Sequence, residues 1–84
     1  MSAQPAQLLI VYARNVEFFA FRRGWSYTRL ADELGITSNT LNRLRFARSR
    51  YIDPEVFAAL LEIFACEPND LLLPQPGINY AQPD

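Results

Sequence analysis

Asn39, Thr40, Asn42 and Arg43 are the side chains of this sequence best suited to chemistry, and that chemistry is recognition rather than reaction. Amide, hydroxyl and guanidinium groups form directional hydrogen bonds, yet none of them shuttles a proton near neutral pH. Arginine adds a planar fork that grips a phosphate, or the O6/N7 edge of guanine, through two parallel hydrogen bonds. All eight basic residues are arginine, and all lie between Arg14 and Arg50, where only Glu17, Asp32 and Glu33 oppose them for a local net charge of +5. From Tyr51 onward Asp53, Glu55, Glu62, Glu67, Asp70 and Asp84 stand without a base, so the overall charge of −1 conceals a strongly dipolar molecule. A basic surface beside a polar one suits duplex DNA, because neutralised phosphates release counterions and supply much of the affinity. The acidic half is expected to face away from the duplex.

Those side chains need a scaffold, and hydrophobic spacing supplies one. Leu30, Ala31 and Leu34 fall at i, i+1 and i+4, and after Gly35-Ile36-Thr37 a second stripe starts at Leu41 and Leu44. The segment Ser26 to Arg45 therefore reads as two short amphipathic helices joined by a tight turn, a helix-turn-helix. Ala31 is small enough to let the two backbones approach at their crossing. Gly35 suits the left-handed residue that ends the first of these helices, and Ser38, or Thr37 just before it, caps the second. Asn39, Thr40, Asn42 and Arg43 are left on the outer surface. An ordinary helical hairpin with solvated Asn and Thr is the plain alternative, and the clustered arginines weigh against it.

Pro5 opens a first helix on which Leu9, Tyr12, Val16 and Phe19 or Ala20 make a stripe running until Gly24. Leu8, Val11, Phe18 and Phe21 are in excess of one buried face and point partly elsewhere, toward a dimer contact or the chain's own C-terminal segment. Asp53-Pro54-Glu55 is a strong helix start, with Val56, Phe57, Leu60, Leu61 and Phe64 as its core stripe. A last short helix holding Leu71 and Leu72 is capped by Asn69 or by Glu67, and Pro74 and Pro76 end it. The tail 75–84 is polar and irregular, either disordered or an arm.

With 84 residues, half of them apolar, the chain makes one domain. It has one Cys and no His, which removes a disulfide framework, a zinc finger and any Cys/His catalytic pair. Cys66 reads as a small buried hydrophobe. No Gly-rich phosphate loop is present, and the adjacent Asp32 and Glu33 face different sides of a helix, so no catalytic constellation emerges. Neither a cofactor nor a small-molecule ligand is evident. The apolar run Leu8 to Tyr12 is interrupted by Arg14, Asn15 and Glu17 well short of a membrane span, and no basic residue precedes it as in a secretory signal. A cytoplasmic location fits.

The order of five helices, and the run from Asn15 to Leu72, resemble the XRE family of helix-turn-helix regulators, the Cro and phage-repressor-like proteins. The resemblance rests on Arg23-Gly24-Trp25-Ser26, on Leu30-Ala31-x-x-Leu34-Gly35-Ile36-Thr37, and on Thr40-Leu41-x-Arg43-Leu44. Phe57-x-x-Leu60-x-x-Ile63-Phe64-x-Cys66-x-Pro68-x-Asp70-Leu71-Leu72 is similar to the close of a small single-domain subgroup. It implies an all-α, five-helix lambda-repressor-like bundle over 1–74, with its helix-turn-helix core at 26–45 and the irregular tail at 75–84. It also implies sequence-specific binding of double-stranded DNA by a transcriptional regulator; with no obvious activation surface in the sequence, a repressor is expected. The helix at 38–46 would lie in the major groove.

By the same resemblance Ser38, Asn39 and Arg43 match base-reading positions, with Asn42 a further candidate. The chemistry agrees, since Asn pairs bidentately with adenine and Arg with guanine, while Ser or Thr can pair with either. Phosphate contacts would come from Tyr27, Thr28, Arg29, Arg48, Arg50 and Tyr51, with Arg22 and Arg23 behind them. Tyr27 departs from a frequent Gln, and Arg45-Phe46-Ala47 departs from Glu, a basic residue and Gly; Arg45 therefore adds charge near the groove. A homodimer is the default, joined through the first helix or the C-terminal part, with recognition helices about 34 Å apart if the half-sites lie one turn apart. The alternative is a protein-binding helix-turn-helix module, such as an antitoxin or adaptor, that uses exposed aromatics instead of arginines.

Overall fold

Each helix starts where a side chain or proline can satisfy or replace unpaired backbone N–H groups, and stops where the chain turns left-handed or meets proline. The computed structural model describes residues 5–80, with side chains from Gln7. Five helices follow in order: α1 (Pro5–Arg22), α2 (Tyr27–Leu34), α3 (Ser38–Arg45), α4 (Pro54–Phe64) and α5 (Pro68–Leu72). The described residues form an all-α bundle, as expected.

Ser26 caps α2 through Oγ, which accepts from the Arg29 N–H at 3.1 Å. Gly35 ends the same helix at φ 69°, a left-handed conformation that costs glycine nothing. Of the two hydroxyls offered for α3, Thr37 is the cap, accepting from the Thr40 N–H at 3.1 Å, and Ser38 is the first helical residue. α3 ends at Arg45, with Phe46 outside it as the C-cap. Asp53 Oδ1 accepts from Glu55 N–H at 2.9 Å and Val56 N–H at 3.4 Å, starting α4 as the Asp-Pro-Glu sequence dictates. Glu67, rather than Asn69, is the cap residue of α5: its N–H donates to Asp70 Oδ2 at 2.9 Å, and its backbone carbonyl accepts from the Asp70 N–H at 3.0 Å.

Tyr12, Val16, Ala20, Leu30, Ala31, Leu41, Leu60, Phe64 and Leu71 form the core. Removing each of the buried leucines from water stabilises the fold by about 1.5–3 kcal/mol. Phe19 stacks on Phe64 at 5.4 Å between ring centroids, and Trp25 meets the same ring at 5.8 Å. α2 packs on α3 and α4, while α1 packs on α5 and α3, so the helix-turn-helix rests on the long first helix.

Two expectations, on Val11 and Cys66, are corrected, and α1 holds a buried polar group that spacing did not suggest. Val11, expected to point partly outward, is buried along with Ile10 and Ala13. Asn15, read as a polar break in an apolar run, is fully buried. Its Nδ2 donates to the Leu71 and Leu73 carbonyls at 2.9 and 3.0 Å, and its Oδ1 accepts from the Tyr80 hydroxyl at 2.5 Å. Tyr80 in turn accepts the Gln75 N–H at 2.7 Å, so the segment 73–80 is strapped back onto α1. The last part of the expected tail, 81–84, lies outside the described residues. Leu8, Phe18 and Phe21 do stay exposed. Cys66 is only half-buried, packed at the edge of the core, and burial followed by the nearby Asp70 charge pushes its thiol pKa up. Among the described residues no helix is long and apolar enough to cross a membrane.

Candidate nucleic-acid interface

α3 buries Leu41 and turns Ser38, Asn39, Thr40, Asn42 and Arg43 to solvent, the division its spacing demands. Ser38, Asn39 and Arg43 carry no side-chain hydrogen bond to the described residues. Thr40 shares a hydroxyl contact with Thr37 at 3.0 Å. Asn42 is different, because its Oδ1 accepts from Arg45 Nη1 at 3.1 Å. One lone pair of that oxygen and the whole Nδ2 group remain available.

Arg45 is the largest departure from expectation. Its guanidinium does not reach outward as added charge; it lies over the Tyr27 ring at 3.5 Å from the centroid, with the Phe46 ring at 4.8 Å. Stacking of a weakly hydrated planar cation on aromatic faces, together with the Asn42 bond, holds it against the protein. The Tyr27 hydroxyl donates to Glu17 on α1. Burial, then the Glu17 carboxylate, pushes the Tyr27 pKa above its ordinary value, so the phenol stays protonated. Tyr27, Arg45, Asn42 and Glu17 thus form one connected group linking α1, α2 and α3. Sequence spacing could have suggested only its Asn42–Arg45 part, an i,i+3 pair.

Thr28 and Arg29 are exposed at the start of α2. Arg29 is committed in part, since its Nε bonds Glu33 at 2.9 Å and its guanidinium covers Trp25 at 4.9 Å. Arg22 lies over Phe18 at 5.3 Å, and Arg23 donates to the Phe64 carbonyl at 3.0 Å while covering that ring, which makes both of them structural in part.

Beyond α3 the chain turns at Ala47, whose φ of 53° is the left-handed conformation that the resembled family often meets with Gly. The Arg48 N–H then bonds the Arg43 carbonyl at 2.9 Å, fixing the exit of the helix. Arg48, Arg50 and Tyr51 are exposed in this loop, and with Thr40 and Arg43 they border a common cleft. Three of the expected phosphate-binding residues are therefore gathered beside the outer face of α3. Tyr27, Thr28 and Arg29 sit apart from them, on α2.

The chain matches a family model described as a Cro/C1-type HTH DNA-binding domain over residues 20–77. It belongs to that family, as the sequence resemblance implied. No curated protein and no solved structure matches it.

Proposed function

We propose that this Cro/C1-type helix-turn-helix domain reads duplex DNA sequence-specifically by laying α3 in the major groove, and that it acts as a transcriptional repressor. The observation that carries the reading is the outer face of α3, polar and exposed, with Ser38, Asn39 and Arg43 unpaired among the described residues and the arginines of the following loop beside it. Ser38, Asn39 and Arg43 face bases with their full hydrogen-bonding capacity. Asn42 reads with Nδ2 and its remaining lone pair. Each good bidentate pair would discriminate against a wrong base by about 1–3 kcal/mol. Thr28, Arg29, Arg48, Arg50 and Tyr51 contact phosphates, whereas Tyr27 serves chiefly to position Arg45, its hydroxyl being committed to Glu17.

A single domain covers little of a groove, so two copies on one site supply the affinity. The exposed Leu8, Phe18 and Phe21 of α1 are the surface on which we place that contact. The same exposed apolar side chains also favour a second reading, a module that binds another protein.

Selection of bound sequences from a random duplex pool at physiological salt, with light scattering on the same sample, separates the two. A symmetric enriched motif and a dimer mass support the regulator. Absence of enrichment, with binding that disappears as salt rises, supports the protein-binding module. Within the regulator reading, Arg43→Ala relaxes preference at one base position, while Arg50→Ala weakens all duplexes alike and lowers the salt slope by about one unit. Equal loss on every duplex for both variants would overturn the assignment of Arg43.

A further inference from the structure

The cleft beside α3 has more in it than a phosphate contact requires. It encloses about 290 Å³ between α3, the loop 46–53 and the facing parts of α1 and α4. That volume is close to the lower bound for small-ligand sites, roughly 300 Å³. Its walls are of two kinds, ordered by depth. Leu9 and Tyr12 are buried, Leu44 and Val56 are half-buried, and together they line an apolar interior. Arg43, Arg48 and Arg50 are exposed at the mouth.

The single acid on this lining, Asp53, has Oδ1 engaged by two N–H groups of α4, which disperses part of its charge into the helix. The cleft mouth is therefore net cationic. Tyr12 adds a second, independent observation. The residue is 3% exposed, and its hydroxyl is buried with no hydrogen-bond partner among the described residues. Buried phenols ordinarily find a partner, so the Tyr12 side of the cleft holds a donor that the described residues leave unpaired.

A DNA phosphate would meet the arginines and leave the interior unused. An apolar molecule would fill the interior and leave the guanidinium groups of Arg43, Arg48 and Arg50 without an anion, Arg48 having only the Phe46 ring at 5.5 Å. Only a ligand with both parts answers both. We propose that the cleft binds a small amphipathic carboxylate, its carboxylate held by the forks of Arg48 and Arg50 and its compact aromatic or branched apolar body lodged against Leu9, Leu44, Val56 and the Tyr12 ring. Arg43, Arg48 and Arg50 are also the residues that the proposed DNA reading uses, so the ligand and a duplex exclude one another; this consequence alone rests on that reading. The domain would then carry its own effector site.

The test uses the full chain and begins without DNA. Amide resonances are followed while 2-naphthoate, its neutral analogue 2-naphthalenemethanol, or inorganic phosphate is added at constant ionic strength. Saturable shifts at Leu9, Tyr12 and Val56 are expected with naphthoate. Binding should weaken by at least about tenfold for the neutral alcohol and for Arg48→Ala/Arg50→Ala. Equal affinity for the alcohol, or naphthoate shifts confined to the loop amides that phosphate also moves, would overturn the site.

In a second arm, naphthoate is titrated into the complex with a selected duplex and should raise the apparent duplex Kd linearly with free naphthoate concentration. An unchanged duplex Kd with naphthoate bound overturns the exclusion. A protein that binds naphthoate but no duplex overturns the DNA reading and leaves the site standing.

Discussion

Asn15 carries more of this fold than its sequence surroundings advertise. It lies fully buried in an apolar helix, and its amide serves two carbonyls 56 and 58 positions further along the chain as well as a phenol beyond them. Replacement by Ala leaves the buried Leu71 carbonyl short of its partner, and with it the part-buried Leu73 carbonyl and Tyr80 hydroxyl. The expected loss of stability for Asn15→Ala is about 2–3 kcal/mol, read from urea denaturation. A loss below the size of one ordinary hydrogen bond would show that the strap detaches without cost. Tyr12 gives a second residue-scale expectation. Burial first, and Asp53 second, pushes its pKa well above the ordinary 10.0. The folded chain therefore keeps a proton that the unfolded chain releases, so this contribution is complete below about pH 10 and is lost as pH rises beyond it. Melting temperature should fall with alkalinity above about pH 10, and Tyr12→Phe should flatten that decline. An unaltered slope in the variant would assign the titration to Tyr27, whose pKa is raised as well.

Helix ends were the most legible elements of the sequence, because capping depends on residues a few positions apart. Asp53-Pro54-Glu55 was readable without coordinates, and the two N–H bonds to Asp53 Oδ1 realise it. Asp53→Ala should cost about 1 kcal/mol in denaturation and leave the selected DNA site unchanged. A shifted site would mean that α4 orients the recognition surface. Thr37 and Ser38 were harder to separate, since neighbouring hydroxyls can both cap and only the backbone conformation decides; Thr37 is the extended one, at ψ 161°. The turn after α3 runs the other way, because composition pointed to no particular conformation at Phe46-Ala47 and the fold demands a left-handed Ala47. Strain of about 1–2 kcal/mol at such a residue exceeds the extra entropy glycine keeps when unfolded, about 0.4–1 kcal/mol. Ala47→Gly should therefore raise stability by about 0.5–1 kcal/mol, visible as a higher denaturation midpoint. A lower midpoint would show that the loop relaxes the strain elsewhere.

Across the whole molecule, charge and covering segments divide the labour. The basic stretch contains the helix-turn-helix and its following loop, and the acidic stretch contains α4 and α5, so the dipole visible in the sequence coincides with two regions of one bundle. The strap 73–80 joins the far end of the chain to α1 through Tyr80 and Asn15. A chain ending at Pro74 should lose about 1–3 kcal/mol of stability by calorimetry, since Asn15 Oδ1 is left unpaired. Undiminished stability would show that the carbonyls of Leu71 and Leu73 alone hold Asn15 in place.

The sequence by itself determined the five helices, the turn that joins α2 to α3, the polar outer face of α3 and the family. All of these follow from spacing, capping and composition within short windows. Tertiary structure decided that Asn15 is buried, that Arg45 folds over Tyr27 instead of facing the groove, and that Arg43, Arg48 and Arg50 share a cleft with Leu9 and Tyr12. Those outcomes depend on groups tens of residues apart meeting where water is excluded. Local propensity carries no term for such a meeting, so only packing reveals which polar groups it pairs and which it leaves open.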